Sequence, residues 1–295
     1  MKVLVIGKQG QLARALAEAA GSSPELRFIF AARPELDLAS RGSAGRLIRE
    51  VRPDAIVNAA AYTAVDKAES EPDIAYAVNA EGAGEVAGGA GELDAPVIHV
   101  STDYVFDGRA TQPYREDAAT SPVNVYGRSK LAGEEAVRAA NPQHLILRTS
   151  WLFSPFGTNF LKTMLRLASE RDDVRVVSDQ LGSPTSAHSL AGAILNILGA
   201  WNGGQTTGRG GTYHLTCAGA CSWAEFADEI FRASGQAGGP VARVIPIATE
   251  EYPTAAERPR YSVLDTGKFA VDFDLALPDW REDVRAVVRR LISAR

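Results

Sequence analysis

The sequence predicts an α/β fold, a doubly wound parallel sheet with a smaller C-terminal lobe, and three observations predict it. Short apolar runs rich in valine and isoleucine recur, and segments with apolar residues at helical spacing separate them. Such runs suit parallel strands that are buried on both faces and joined by crossover helices. The third observation is a glycine-containing turn directly after the first run, at GKQG. After about Trp151 the regular alternation of apolar runs and helical segments changes, which indicates a second lobe.

The predicted elements follow from these patterns in chain order. The strands of the sheet are predicted at KVLVIG, LRFIF, AIVNAAA, PVIHVST and HLILRTS. The crossover helices are predicted over 11–20, 43–51, 74–90 and 126–140. In the second lobe we expect a strand at VRVVSD, a glycine-rich loop at NGGQTTGRGG, and helices over 159–170, 186–201, 222–234 and 279–294. Ser222 and Glu225 have the spacing of a capping box.

Length and composition limit the organisation of the chain. At 295 residues it exceeds the usual size of one domain. We therefore expect a first domain over 1–150 and a second lobe over 151–295, with some segments of the lobe returning to the first domain. Hydrophobic residues make up 45% of the chain and charged residues 23%, close to the averages of an ordinary globular protein, which argues against a disordered or fibrous protein.

Charge and cysteine usage exclude several classes of function. The net charge is -5 and the 31 Lys and Arg residues are scattered, which argues against a nucleic-acid partner. Cys217 and Cys221 lie four apart without paired histidines, so we expect free buried thiols rather than a zinc or redox site. The first apolar stretch is too short for a signal peptide or a membrane span. We expect a cytoplasmic protein without a membrane partner.

A glycine motif indicates the ligand of the first domain. Gly7, Gly10 and Ala13 form G-x-x-G-x-x-A between the first predicted strand and helix. Small residues there allow a tight turn and let a pyrophosphate approach the backbone at the positive end of the helix. Glycine also marks ordinary turns, but this position favours a dinucleotide-binding domain of the Rossmann type.

The end of the second predicted strand bears on which dinucleotide binds. An acidic residue there usually binds the ribose 2′-hydroxyl of NAD, whereas this chain has Arg33. Arg33 either holds the 2′-phosphate of NADPH or is a solvated loop residue. We predict a preference for NADPH, with NADH also usable. Asp37 and Leu38 either border the adenine ring or only precede a helix. Ala60 and Ala61 follow the third strand and leave room for the nicotinamide ribose.

Thr102, Tyr126 and Lys130 form the constellation that indicates catalysis. Tyr126 and Lys130 lie one helical turn apart, so they share one helix face, and Thr102 ends a predicted strand. A phenol needs a neighbouring cation to lower its pKa of about 10, and Lys130 is expected to supply that charge. Tyr126 would then protonate a carbonyl oxygen while Thr102 donates a hydrogen bond to it. A tyrosine and a lysine so spaced are often only a helix surface, but their coincidence with the glycine motif favours a reductase.

At these motifs the chain resembles the extended short-chain dehydrogenase/reductase family. The resemblance covers most of the length, through GKQGQLA, RPDAIVNAAAYTAVDKAESEP, VNA, STDYVFDG, SPVNVYGRSKLAGE, LRTSWLF, NFLKTMLRLA, SDQLGSPT and SVLDTGKF. STDYVFDG with DQLGSPT is far more specific than a glycine turn. The resemblance implies that Thr102, Tyr126 and Lys130 are catalytic. The cofactor-binding residues that it implies are Gly10, Gln11, Leu12, Asp37, Leu38, Ala60, Ala61 and Tyr62.

The resemblance also implies a substrate, a dTDP-linked keto-deoxysugar whose C4 keto group is reduced. The second lobe is then the main substrate-binding part. The residues expected at the sugar nucleotide are Thr102, Asp103, Tyr104, Trp151 and Arg258. Trp151 either stacks on the hexose or belongs to the core. Arg258 either binds the diphosphate with two hydrogen bonds or is a surface charge.

Metal and oligomeric state follow less directly. The resemblance implies magnesium held by acidic side chains between subunits, but Arg14 and Ala15 open the first helix here and His188 stands where an acid is expected. Because a hard cation prefers oxygen ligands, bound Mg²⁺ is doubtful, and a homodimer is left open.

Two other functions compete with reduction. A sugar-nucleotide epimerase or dehydratase would keep NAD bound and return the hydride to its substrate. Dehydratases of this type usually have a glutamate after the aspartate, whereas Tyr104 follows Asp103 here. A non-catalytic nucleotide-binding regulatory subunit is the other alternative, because similar folds also serve non-enzymatic functions. An intact pair of Tyr126 and Lys130 argues against it.

Overall fold

A parallel sheet lies at the centre of the structure, a computed structural model that describes residues 1–294. The strands of the molecule are β1 (Lys2–Ile6), β2 (Arg27–Ala31), β3 (Ala55–Asn58), β4 (Val97–Thr102), β5 (His144–Thr149), β6 (Leu152–Phe153), β7 (Asp173–Val177), β8 (Leu181–Gly182), β9 (Thr185–Ser186), β10 (Gly211–His214), β11 (Cys221–Ser222) and β12 (Arg243–Ile247). The central sheet has the order β2-β1-β3-β4-β5-β10, and all of its neighbours are parallel. The predicted α/β class with a parallel sheet is confirmed.

Helices cover both faces of this sheet. They are α1 (Gln11–Ala19), α2 (Ser43–Val51), α3 (Val65–Ser70), α4 (Pro72–Tyr76), α5 (Gly82–Gly91), α6 (Val125–Ala140), α7 (Phe160–Ala168), α8 (Ala187–Asn202), α9 (Trp223–Gln236), α10 (Gly267–Phe273) and α11 (Trp280–Ser293). Alternate residues of β1 enter separate cores: Val3 and Val5 pack with α1 and α8, whereas Leu4 and Ile6 pack with α2 and α5. This two-sided burial explains the continuous apolar runs of the sequence.

The second lobe contains short ladders instead of a second large sheet. β7 pairs with β12 in parallel, β8 with β11 in antiparallel, and β6 with β9 in parallel. The predicted capping box is confirmed, because Ser222 and Glu225 exchange hydrogen bonds at the start of α9. Cys217 and Cys221 are free and buried, as predicted. None of the helices found over residues 1–294 is long and apolar enough to cross a membrane.

Several elements were not predicted, among them α3, α10 and β12, and two further differences affect the sheet and the site. The segment after the glycine-rich loop, Gly211–His214, is β10 and pairs with β5 in the central sheet. The helix predicted over 74–90 begins at Pro72 and contains a π-helical turn over Ala77–Glu81. The buried Asn79 side chain in that turn both accepts from the Tyr62 backbone N–H and donates to the Tyr62 carbonyl, at 2.8 and 3.0 Å. The turn therefore joins the helix to the chain after β3.

Candidate active site

A cleft of about 830 Å³ lies at the carboxyl ends of β1, β3, β4 and β5. The sheet order reverses between β1 and β3, the position where open α/β sheets bind ligands. The predicted site residues that line it are Gly7, Gly10, Gln11, Leu12, Arg33, Ala60, Ala61, Thr102, Asp103, Tyr126, Lys130 and Trp151. The structure thus brings most of the predicted cofactor and catalytic residues to one cavity.

The glycine turn forms the floor of the cleft at its dinucleotide end. Gly7 has φ +107°, and a side chain there would place its Cβ 3.2 Å from the backbone nitrogen of Ala60. Gly10 is the N-cap of α1, yet no side chain caps this helix and no acidic residue lies in its first turn. The backbone N–H groups and the positive helix end are therefore available to an anion, and this fits a pyrophosphate.

Gln11 connects the glycine turn to the second lobe. Its side-chain oxygen accepts hydrogen bonds from Ser154 and Asn159, at 2.8 and 2.9 Å, and its amide donates to the Leu152 carbonyl. The Gln11 amide is therefore occupied by protein groups, and any contact that it makes with a cofactor must come from other atoms of the residue.

Cations lie at the outer end of the same cleft. Arg33 is exposed and lines the cleft, and Lys8, a cation that no sequence motif indicated, lines it too. Neither residue takes part in a salt bridge among those found over residues 1–294. Two exposed cations on the lining of one cleft are suited to bind an anionic group such as a 2′-phosphate.

Asp37, Leu38 and Tyr62 do not line this cleft, although they were predicted to contact the cofactor. Asp37 accepts a hydrogen bond from the backbone N–H of Ala39, and Leu38 is buried against Gly82. The Tyr62 hydroxyl donates to the exposed Glu71. These side chains are occupied in turn formation, packing and a surface contact, so their cofactor role has no support from the geometry.

Helix α6 brings Tyr126 and Lys130 against the end of β4. The side chain of Asn124 caps this helix by accepting from the Gly127 backbone N–H at 2.8 Å. A Cβ at Gly127 would lie only 2.2 Å from the Tyr104 carbonyl oxygen, so a glycine is required for this close approach. Lys130 is buried and its ammonium donates to the Val100 carbonyl at 2.7 Å.

Burial keeps the Tyr126 phenol protonated. It raises the pKa of Tyr126 to about 12, and a hydrogen bond with the Thr102 side chain opposes the rise while the Asp103 charge adds to it. Burial also lowers the pKa of Lys130 to about 8, against the opposing influence of Glu134. Lys130, which the sequence predicted to lower the phenol pKa, is not among the groups that shift it in this arrangement, and its ammonium donates to the Val100 carbonyl. In this arrangement Tyr126 is a proton donor throughout the neutral range.

Asp103 is a buried carboxylic acid beside the proposed proton donor. One of its oxygens accepts from the Thr102 hydroxyl at 2.9 Å, and the other makes no hydrogen bond of good geometry among residues 1–294, although the Ser262 hydroxyl is close enough to oppose the rise of the pKa. Burial raises the pKa of Asp103 to about 6. A buried acceptor without a partner is unfavourable for folding and is typical of a site that receives a ligand.

A buried ion pair between Glu134 and Arg148 lies next to the elements that carry Thr102, Tyr126 and Lys130. Glu134, one turn beyond Lys130, accepts two hydrogen bonds from Arg148 of β5, both at 2.8 Å. It also accepts from Ser101, the neighbour of Thr102, at 2.6 Å. Glu134 thus links α6 and β4, which carry the predicted catalytic trio, to β5. The YGRSKLAGE motif contained this residue, but its distant partner on β5 could not be recognised from spacing.

Tyr104 and Arg258 line a second cleft of about 1160 Å³, which shares Phe160 and Trp223 with the first. Tyr104 packs edge-on against Tyr126, with ring centroids 5.6 Å apart. Arg258 is bound by Asp66 through two hydrogen bonds of 2.8 and 2.7 Å. It is therefore not a free surface charge. The other arginines that line this cleft are Arg166, Arg171 and Arg175.

No group of three or more His, Cys, Asp or Glu side chains is placed to hold a metal ion within residues 1–294. Where the resemblance implied acidic ligands, ion pairs occur instead. Glu18 of α1 accepts two hydrogen bonds from Arg290 and contacts His188 at 3.0 Å. Arg290 holds the pKa of Glu18 at about 2. Arg14 packs over the Phe156 ring at 4.2 Å.

The fold and the cleft define a dinucleotide-dependent oxidoreductase of the short-chain dehydrogenase/reductase type. The family described as RmlD substrate binding domain matches residues 1–293, and the chain belongs to this RmlD family. It is 47% identical over 292 residues to the dTDP-4-dehydrorhamnose reductase of Sinorhizobium fredii, with 99% of this chain and 98% of the relative covered. It is 42% identical over 298 residues to the dTDP-4-dehydrorhamnose reductase of Escherichia coli K12, with 99% of both chains covered. A crystal structure of dTDP-4-dehydrorhamnose reductase from Bacillus anthracis in complex with NADP has a TM-score of 0.90 at 37% identity, with 97% of this chain and 98% of that chain covered.

Proposed function

We propose that this protein reduces the C4 keto group of dTDP-4-dehydro-L-rhamnose to give dTDP-L-rhamnose, with NADPH as the hydride donor. One observation carries the proposal: Thr102, Tyr126 and Lys130 line the same cleft as the glycine turn. The relatives above, which match over nearly the whole chain and are named as reductases of this substrate, support the same conclusion.

The proposed cofactor site extends from the glycine turn to Thr102, Tyr126 and Lys130. The turn at Gly7 and Gly10 would hold the pyrophosphate, and Lys8 with Arg33 would hold the 2′-phosphate. The NADP bound by the relative from Bacillus anthracis supports this choice of dinucleotide. NADH, which has no 2′-phosphate, would bind more weakly at these cations and remain usable.

We assign the sugar nucleotide to the junction of the two clefts. The hexose would lie at Thr102, Asp103 and Trp151, and its diphosphate and base would extend into the second cleft near Arg258. Residues 1–150 would then form the dinucleotide-binding domain, and residues 151–295 would form a lobe that mainly binds the substrate. The second cleft supports this division, because nearly all of its lining residues belong to 151–295.

The residues of the cleft suit the reduction of a ketone. When bound, the nicotinamide supplies a hydride to the keto carbon, and negative charge develops on the keto oxygen. Tyr126, protonated in the neutral range, donates its proton to that oxygen, and the Thr102 hydroxyl would turn from Asp103 to donate a hydrogen bond to it. Lys130 is held beside them by the Val100 carbonyl and places a positive charge at the cofactor side of the cleft.

The experiment that tests this function is an assay of NADPH absorbance with an enzymatically prepared dTDP-keto-deoxysugar. We expect stoichiometric oxidation of NADPH by the wild type. In Tyr126→Phe we expect turnover to fall by about 10²- to 10⁴-fold while NADPH affinity is kept. Sugar conversion without net NADPH oxidation would instead show an epimerase or dehydratase. Absence of turnover in the wild type would favour a regulatory protein.

A further inference from the structure

An aromatic wall stands where the two clefts meet. Phe160 and Trp223 line both clefts, and Trp151 lines the first. The rings of Trp151 and Trp223 are stacked, with centroids 3.5 Å apart and an angle of 8° between their planes. Phe160 packs against Trp223 at 4.6 Å. A ligand that extends from the predicted catalytic trio into the second cleft would lie beside this wall.

Trp151 has a backbone conformation that its own side chain disfavours. Its φ is +46°, in the left-handed region that large side chains rarely adopt. Such a conformation persists only where the surroundings enforce it, and residues of this kind concentrate at functional sites. The contacts that enforce it can be named.

Gly182 is one of these contacts, and it lies in the DQLGSPT motif. A Cβ at this position would lie 2.5 Å from Cε2 of the Trp151 ring and 2.7 Å from Cζ2 and Nε1. These three distances place the added atom over the plane of the indole, because an atom in that plane would be farther from Cε2. Only glycine fits at this position against the ring, so Gly182 packs face-on against Trp151. Trp223 packs face-on against the same ring.

One short ladder fixes both contacts. Gly182 of β8 pairs with Cys221 of β11, and Trp223 follows two residues later as the first residue of α9. The capping box at Ser222 sets where this helix begins. The β8 and β11 ladder therefore forms a slot for the Trp151 indole, between a bare backbone and a second indole.

We propose that Gly182 and Trp223 are positioning residues that hold Trp151 as the wall against which the hexose of the substrate is placed. Because Trp223 occupies a face of the Trp151 ring, the sugar meets the remaining exposed part of Trp151 instead of stacking on that face. The proposal rests on the proposed function. It gives the DQLGSPT motif a physical purpose, since the motif carries the residue that must lack a side chain.

The test is Gly182→Ala, compared with Gly192→Ala in α8, where an added Cβ meets nothing within 4 Å. In Gly182→Ala the indole must move, because both of its contacts leave no space for the methyl group. We expect kcat/KM for the keto-sugar nucleotide to fall by about 10- to 100-fold, mainly through KM. The dissociation constant of NADPH should be unchanged, and Gly192→Ala should behave as the wild type.

Trp223 provides a second variant and a spectroscopic readout. Two stacked indoles give an exciton signal in circular dichroism, which Trp223→Leu removes and Gly182→Ala should weaken. We expect Trp223→Leu to raise the KM for the sugar nucleotide with unchanged NADPH affinity. Trp223→Phe, which keeps an aromatic ring, should have a KM close to that of the wild type. If Gly182→Ala does not fold, Trp223→Leu and Trp223→Phe still test whether Trp151 must be held in place.

The outcomes separate this inference from the proposed function. If the wild type oxidises NADPH but the Gly182 and Trp223 variants have the wild-type KM for the sugar nucleotide, the positioning role is wrong and the reductase assignment stands. If the wild type has no turnover, the reductase assignment fails. The exciton signal then still decides whether these residues hold Trp151, and an unchanged signal in Gly182→Ala overturns that part.

Discussion

Asp103→Asn should make the protein more stable at neutral pH. The wild-type carboxyl is buried, and one of its oxygens makes no hydrogen bond of good geometry among residues 1–294. Burial raises its pKa to about 6 from an ordinary value of 3.8. Asparagine keeps the acceptor for the Thr102 hydroxyl but carries no charge. The substitution therefore removes the unfavourable burial of a carboxylate.

The magnitude follows from the two pKa values. A carboxyl with a raised pKa in the folded state stabilises the fold only at low pH, and this contribution is lost as pH rises from 3.8 through about 6. The full loss is about 3 kcal/mol, of which about 2 kcal/mol falls between about pH 4 and pH 7.5. An amide nitrogen without a partner costs about 1 kcal/mol in the variant. The net gain expected at neutral pH is therefore about 2 kcal/mol.

Urea unfolding of wild type and Asp103→Asn at both pH values measures this effect. The control is Asp107→Asn in the same loop, whose wild-type carboxylate accepts from the Tyr114 hydroxyl at 2.6 Å and from the Arg109 backbone N–H. The Tyr114 hydrogen bond holds the pKa of Asp107 below its usual value, so this control should lose stability at neutral pH. A free-energy difference between wild type and Asp103→Asn that does not grow with pH would refute the reasoning.

Three further variants test the ion pairs and cations. Glu134→Leu leaves Arg148 buried without its carboxylate, so we expect a loss of about 3–5 kcal/mol by thermal unfolding, whereas the exposed neighbour Glu135→Ala should be nearly neutral. Arg33→Ala should raise KM for NADPH about tenfold and leave KM for NADH unchanged, and equal effects on both would remove Arg33 from the 2′-phosphate site. Arg258→Ala should raise KM for the sugar nucleotide about tenfold or more at constant kcat, and unchanged kinetics would exclude it from the site.

Much of the fold follows from local patterns in the sequence. The buried strands β1, β3, β4 and β5 are continuous apolar runs, and the capping box at Ser222 fixes where α9 begins. β10 could not be predicted in this way. Its four residues follow a glycine-rich loop, and only pairing with β5, far earlier in the chain, makes them a strand.

The candidate site shows the same limit. Tyr126 and Lys130 could be placed on one helix face because their spacing is local, and Thr102 could be placed at a strand end. The partner of Arg258, by contrast, is Asp66, which is 192 positions away in the chain. Likewise, nothing near Trp151 indicates that Trp223 will stack on it. Contacts between distant side chains depend on the assembled fold, which no local pattern encodes.

The position of β10 has a consequence for how the chain is made. A nascent chain that has left the ribosome only as far as residue 150 has β5 as an unprotected sheet edge, and α1 has no α8 to cover its apolar face. Exposed edges and apolar faces of this kind favour aggregation. The N-terminal sheet can complete its native edge only after His214 has been synthesised, so its assembly depends on the second half of the molecule.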